Sequence, residues 1–267
     1  DPSRDHTHGR VYRVTVPSRP LLQSVKMSDR PIDEIITHLE SPEDAVRYRA
    51  RIELSGRDSI AVLATATKWA DQFDANDRDD AHHLLEALWL HEQHNAVDEA
   101  LLKRVLSSSH QLARAAAVRV LGHWGEQVHD GLALLLRAAQ DPEPMVRAEA
   151  VVAAAAFEGL GAAEVVFEVQ SRPLDEQLNY AISQTRLVTD NYWRQALKEG
   201  KRLSPAGEAF VLQNGSGPDL LLLPRSEAVC RAILEHDSIP LEDRTAAIRR
   251  LAELTSQPAG EILLDLI

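Results

Sequence analysis

With 267 residues, aromatic side chains at 4 % and a formal net charge of −12 from 41 acidic against 29 basic residues, the chain is long enough for one elongated domain or two compact ones. That charge repels nucleic-acid phosphates and anionic lipid, no basic patch offsets it, and the longest apolar runs (Val151 to Phe157, Leu220 to Leu223) fall far short of the ~20 residues of a spanning helix, so neither nucleic-acid binding nor membrane insertion is expected. Cys230 is the sole cysteine, which excludes an internal disulfide, a CxxC metal site and a CxxCH haem attachment within these residues, while abundant Ala and Leu with few β-favouring residues point to an all-α fold.

The first predicted element is a short extended segment. Val11, Arg13 and Thr15 alternate with Tyr12, Val14 and Val16 as along a strand, and Pro17 and Pro20 follow as a linker, which sets residues 1–30 apart from a helical domain over 31–267. Short amphipathic helices are then predicted from Ile32 to Leu39, Ile60 to Ala70, Ala100 to Leu106, Leu132 to Ala139, Ala163 to Val169 and Ala228 to Leu234. A second helix follows each, marked by Arg, then Ala, then an apolar residue: Val46-Arg47 with Ala50 and Leu54, Ala113-Arg114 with Ala117 and Leu121, Val146-Arg147 with Ala150 and Ala154, and Asp243-Arg244 with Ala247 and Leu251. Degenerate copies read Ala81-His82 with Leu85 and Trp89, Leu178-Asn179 with Ile182, and a faint one near Val211.

Positions 47, 82, 114, 147 and 179 are spaced 35, 32, 33 and 32 residues apart, and Arg244 lies 65 further on, about two units. Ser41-Pro42, Ser107 to Ser109, Asp141 to Pro144, Arg172-Pro173 and Ile239-Pro240 punctuate the turns inside units, and Gly56, Gly125, Gly159 to Gly161 and Gly215 to Pro218 are expected to separate units. One such helix pair cannot bury its apolar face alone, so the expected architecture is an α-solenoid of about seven stacked hairpins. Ala at the fourth repeat position lets neighbouring helices approach, and a larger residue there would cost roughly 1 to 3 kcal/mol.

The run Asp141-Pro142-Glu143-Pro144-Met145-Val146-Arg147 with Ala150 resembles the HEAT repeat, a resemblance that extends from Pro31 to the C-terminus and is clearest in the third and fourth units. It implies that Asp141 and the arginines Arg47, Arg114, Arg147 and Arg244 form a ladder between stacked units. A second resemblance is narrower. The run Asp5 to Thr15 is similar to the closing strand of a dehydrogenase-type β-propeller, as in large planctomycete-type proteins where HEAT repeats follow the propeller and a cytochrome c domain comes last. It implies a membrane-bound dehydrogenase parent carrying covalent haem outside this segment, in a periplasmic or exported location; without it the expected compartment is the cytoplasm. The chain begins at Asp1 without methionine or signal peptide and ends on the apolar run Ile262 to Ile267, so both ends are expected to be cuts.

Sites of chemistry are sparse. His82, His83, His91 and His94 share one predicted helix, with 91 and 94 spaced to face one way, yet only Glu92 is fixed beside them and a metal role is not preferred; His6 and His8 at the terminus are treated alike. Cys230 and His236 are too far apart along a helix to pair, which favours a buried structural thiol over a nucleophile. Asn214 to Pro218 lacks the GK[ST] ending of a phosphate loop, and the acids Asp71, Asp74, Asp77, Asp79 and Asp80 lack the glycine and closing glutamate of a calcium loop. The ladder arginines could anchor a partner, but their recurrence at the unit period makes a structural role the first account; Trp69, Trp89, Trp124 and Trp193 are expected mostly in the core. No catalytic, cofactor or metal residue is therefore expected here. The reading is a non-enzymatic scaffold for protein or interdomain contacts, with the spacer of a haem-bearing oxidoreductase as the alternative and a free-standing enzyme as the third.

Overall fold

A computed structural model describes residues 24–265 together with Thr7, Gly9, Tyr12 and residues 14–18. Among the described residues there is no strand. The helices pair in order: α1 (Ile32–Thr37) with α2 (Asp44–Ser55), α3 (Ser59–Ala70) with α4 (Arg78–Gln93), α5 (Glu99–Leu106) with α6 (Gln111–Trp124), and α7 (Gly131–Ala139) with α8 (Pro144–Ala154). Three further pairs complete the stack: α9 (Leu160–Gln170) with α10 (Glu176–Lys198), α11 (Pro205–Asn214) with α12 (Gly217–Leu222), and α13 (Glu227–Glu235) with α14 (Leu241–Thr255), followed by α15 (Ala259–Asp265).

Second helices of successive hairpins, α2 through α12, lie side by side, and first helices do so where α1 meets α3, α7 meets α9 and α9 meets α11. The result is a two-layered all-α solenoid of seven hairpins. Local chemistry starts the helices where the stack needs them. Asp58, Asp98, Asp175, Ser204 and Ser226 each accept a backbone N–H of the first turn that follows, and Ser216 with Asp219 closes a reciprocal capping box at α12.

Ala50, Ala117, Ala150 and Ala247 at the fourth repeat position are fully buried. Helices α6 and α8 approach closely: a Cβ on Gly122 would stand 2.8 Å from the Ala153 Cβ. One apolar core runs from Met27 to Ile182 and a second from Ala163 to Ile262, and α9 and α10 contribute to both.

Two expectations need correction. Val211 does not lie on the second helix of its unit: it is on α11, which packs on α9 in the first-helix layer. The even spacing misplaced it because α10 runs 23 residues against 14 for α6, leaving the sixth unit only the six residues of α12 as its second helix. The loop at Gly215 is consequently the turn within the sixth hairpin, not a separator between hairpins. Most of the segment from Asp5 to Thr15, including His6, His8, Val11 and Arg13, lies outside the described residues.

Candidate interaction surface

The turns inside the hairpins line one edge of the stack, and a chain of polar contacts ties each to the next. Ser108 and Ser109 hydroxyls donate to the carbonyls of Ala75 and Asn76, and Arg104 reaches back to the Ala70 and Phe73 carbonyls. Arg114 donates Nε to Asp141 Oδ2 at 2.7 Å and Nη2 to Oδ1 at 2.9 Å, a two-pronged bridge from the third hairpin to the fourth. Its remaining nitrogen, Nη1, binds the Ser108 and Ser109 carbonyls.

Arg147 repeats the motif one unit on. Its Nη1 donates to the Asp141 and Pro142 carbonyls at 2.9 Å, and Nη2 reaches Pro173 in the fifth hairpin at 3.1 Å. Asp141 thus meets both arginines, one through its carboxylate and one through its carbonyl. Burial would raise the Asp141 carboxyl, but hydrogen bonds from Arg114 and from the Glu143 amide outweigh it and hold it below the usual range. Arg47 donates to the Ser41 carbonyl and stands 3.4 Å from Glu86 in the next hairpin, whereas Arg244 reaches only the Ile239 carbonyl of its own unit. Arg147 is buried, so it presents no edge to a partner.

The outward face of the second helices is chemically different. Tyr48 and Ile52 on α2, Leu112 on α6, Met145 and Val152 on α8, and Tyr180 and Leu187 on α10 are all more than half exposed, with Leu187 at 76 %. Charges on this face are largely matched across hairpins: Arg51 grips both Glu86 oxygens at 2.6 Å, His123 meets Glu92, and Arg119 meets Glu149. Arg51 also lies 5.5 Å over the Trp89 ring, and with Tyr48, Ile52 and Gln93 the pair lines a shallow groove of about 320 Å³ between α2 and α4. An apolar surface whose charges neutralise one another is easily desolvated.

Other concave sites hold titratable groups; in the first of them the Ser109 hydroxyl donates to the Asn76 carbonyl and not to the neighbouring His110. A depression of about 570 Å³ between the starts of α4 and α6 holds Arg78, His82 and His110; another of about 610 Å³ between α5 and α7 holds Lys103, Arg137, Asp130 and the mutually engaged Arg114 and Asp141. Cys230 is fully buried, and burial pushes its thiol up despite Arg225 and Arg250. Among the described residues no three His, Cys, Asp or Glu are grouped to hold a metal ion. Three of the acids at 71–80 bind local backbone: Asp80 accepts from the Asp74 amide, Asp74 from the Asn76 amide, and Asp77 caps α4.

Sequence spacing did not reveal Glu86. It sits on the buried stripe of α4 with no exposure at all, bound by Arg51, with Arg47 at 3.4 Å and His82 at 3.3 Å. Arg194 with Asp219, at 2.9 Å between the fifth and sixth hairpins, was equally hidden. Trp69, Trp124 and Trp193 are core residues, and Trp89 alone of the four faces the groove.

A family model describing HEAT repeats matches residues 99–179, from the first residue of α5 into the first turn of α10. This stretch contains both the Arg114 to Asp141 bridge and the Arg147 motif. No curated protein and no solved structure matches the chain. No helix among the described residues is long and apolar enough to cross a membrane.

Proposed function

We propose that the chain is a non-catalytic helical-repeat scaffold whose second-helix face binds another protein or a neighbouring domain of the same polypeptide. The observation that carries this is the row of exposed apolar side chains from Tyr48 to Leu187 on a face whose charges are paired among themselves. Repeat folds use their extended faces in this way, and the turn edge is engaged in holding the stack together. Val152→Glu with Leu187→Glu on the second-helix face should abolish capture of the partner by the intact chain and leave helicity unchanged. Ile60→Glu, at a position 81 % exposed on first helix α3, should leave capture intact. Equal capture by both variants would refute the assignment of the face.

A second reading rests on the run Asp5 to Thr15 alone. It makes the solenoid a spacer between a propeller and a cytochrome in an exported dehydrogenase, with covalent haem held outside this segment. A native polypeptide far heavier than 29.6 kDa that stains for covalent haem would establish it; a haem-free product of that mass would dispose of it.

A further inference from the structure

The second-helix face has two rims, and they differ in charge. One rim is the edge of turns inside the hairpins. Residues 40–47, where α2 begins, carry three acids against Arg47, and residues 71–80, where α4 begins, carry five aspartates against Arg78, six acids in excess over the two turns. The opposite rim, at residues 55–58 and 93–98, has Arg57 against Asp58 and Asp98, one acid in excess. Among the described residues, only Asp44 of the eight acids on the first rim meets an arginine or lysine, at 3.0 Å from Arg47, and it stays 81 % exposed. The positive ends of α2 and α4 offset about half a charge each, so most of the excess remains.

These acids open onto the apolar row. Asp44 lies one turn before Tyr48 on α2, and the exposed Glu176 one turn before Tyr180 on α10, so each acid shares a stripe of its helix with a tyrosine. Asp79 lines the same depression of about 570 Å³ as Leu112. Within the face itself Arg51 is matched by Glu86 and Arg119 by Glu149. A ligand laid across the row therefore meets apolar side chains in the middle and uncompensated carboxylates along one side only. Such a surface repels nucleic-acid phosphates and attracts cations attached to apolar groups.

We propose that the occupant of this face is a basic amphipathic polypeptide segment, with its apolar side chains on the row from Tyr48 to Leu187 and its lysines or arginines turned to the rim of intra-hairpin turns. The inference rests on the assignment of the second-helix face made above and adds the chemistry of the partner. Charge on one rim alone also sets the partner's direction, because a reversed segment would carry its basic flank to the nearly neutral rim. Exposed charges of this kind speed encounter and lose their effect as salt is raised.

Fluorescence anisotropy with the full chain tests this, using a labelled amphipathic peptide of leucine and lysine and its counterpart with glutamate for every lysine. The lysine peptide should bind, more weakly as salt rises, and the glutamate peptide should not. Asp44→Asn, Asp79→Asn and Glu176→Gln together should weaken the lysine peptide about tenfold, the sum of three exposed charge pairs. Glu126→Gln, Asp130→Asn and Glu158→Gln remove as many exposed acids from the opposite rim and should change binding by less than about twofold. Val152→Ser with Leu187→Ser, which removes apolar surface without adding charge, should also weaken it. Equal weakening by the two triple variants overturns the inference, as does a lysine peptide that does not bind. A glutamate peptide that binds instead, and is lost on Val152→Ser with Leu187→Ser, overturns the basic partner and leaves the face standing. Lysine-peptide binding untouched by Val152→Ser with Leu187→Ser overturns the face and the inference with it.

Discussion

Removing the Asp141 carboxylate should weaken one interface of the stack in a measurable way. The Arg114 bridge has two charge-assisted hydrogen bonds, at 2.7 and 2.9 Å, between side chains only 15 % and 11 % exposed. Such bonds contribute about 1.5 to 3 kcal/mol each, and desolvation of the two ions offsets part of that, leaving a coupling on the order of 2 kcal/mol. Asp141→Ala alone should cost more, about 3 kcal/mol, because Arg114 stays behind half-satisfied and the Glu143 amide loses its acceptor. The assay is a double-mutant cycle of Arg114→Met with Asp141→Ala, followed by urea unfolding and far-UV circular dichroism. The double variant should be more stable than the sum of the single losses by about that coupling energy. Additivity to within about 0.5 kcal/mol would refute the view that the bridge ties the third hairpin to the fourth. Acid gives a second handle: Asp141 is held below its ordinary value of 3.8, so its contribution is complete above that pH and is lost as pH falls through the folded value. Asp141→Asn should therefore flatten the loss of stability below about pH 4.

Gly122→Val should cost about 1 to 3 kcal/mol by driving a Cβ into Ala153, and Ala153→Gly should restore much of it; a thermal melt unchanged by Gly122→Val would contradict the close approach of α6 and α8. Glu86→Leu should destabilise by about 3 kcal/mol, since Arg51 and Arg47 lose the carboxylate between them; calorimetry showing no loss would mean that the cluster is not closed in solution. Val152→Glu and Leu187→Glu should each shift stability by less than about 0.5 kcal/mol, and a larger loss would place those side chains in the core. Cys230 should react with a disulfide reagent only as fast as the chain opens, and rapid labelling of the native protein would show that its burial is wrong.

What could be read from the sequence was what depends on neighbours within one hairpin. Arg147 grips carbonyls five and six residues back, so a Val-Arg following Asp-Pro already encodes the contact. Its counterpart Arg114 adds the bridge to Asp141, 27 residues on, which the resemblance implied rather than the spacing. Glu86 was illegible because its partners Arg47 and Arg51 come from the preceding second helix, and a carboxylate on an amphipathic helix ordinarily reads as solvent-facing. Gly122 sits in the last turn of α6, just before the Gly125 stop, and its packing role appears only once Ala153 is placed opposite. The sixth unit failed for a different reason. No Gly or Pro interrupts 176–198, so a long α10 was there to be seen, but an even period was carried across it and moved Val211 into the wrong layer.

That long helix also divides the energetics of the stack. Its first half, with Leu178 and Ile182, belongs to the core that begins at Met27, while Trp193 and Leu197 belong to the core that ends at Ile262. Phe167 on α9 is the hinge pin of the second core, stacked on Phe210 at 4.9 Å and edge-on to Trp193 at 6.3 Å. Because stability in a repeat array is nearly a sum of neighbour terms, a cavity there should be felt on one side only. Phe167→Ala should cost about 3 to 5 kcal/mol and release the amides of α11 to α14 to faster exchange, while those of α3 to α6 keep their protection. A uniform loss along the chain would mean that α10 couples the two cores into one cooperative body, and the division would then be one of packing without being one of stability.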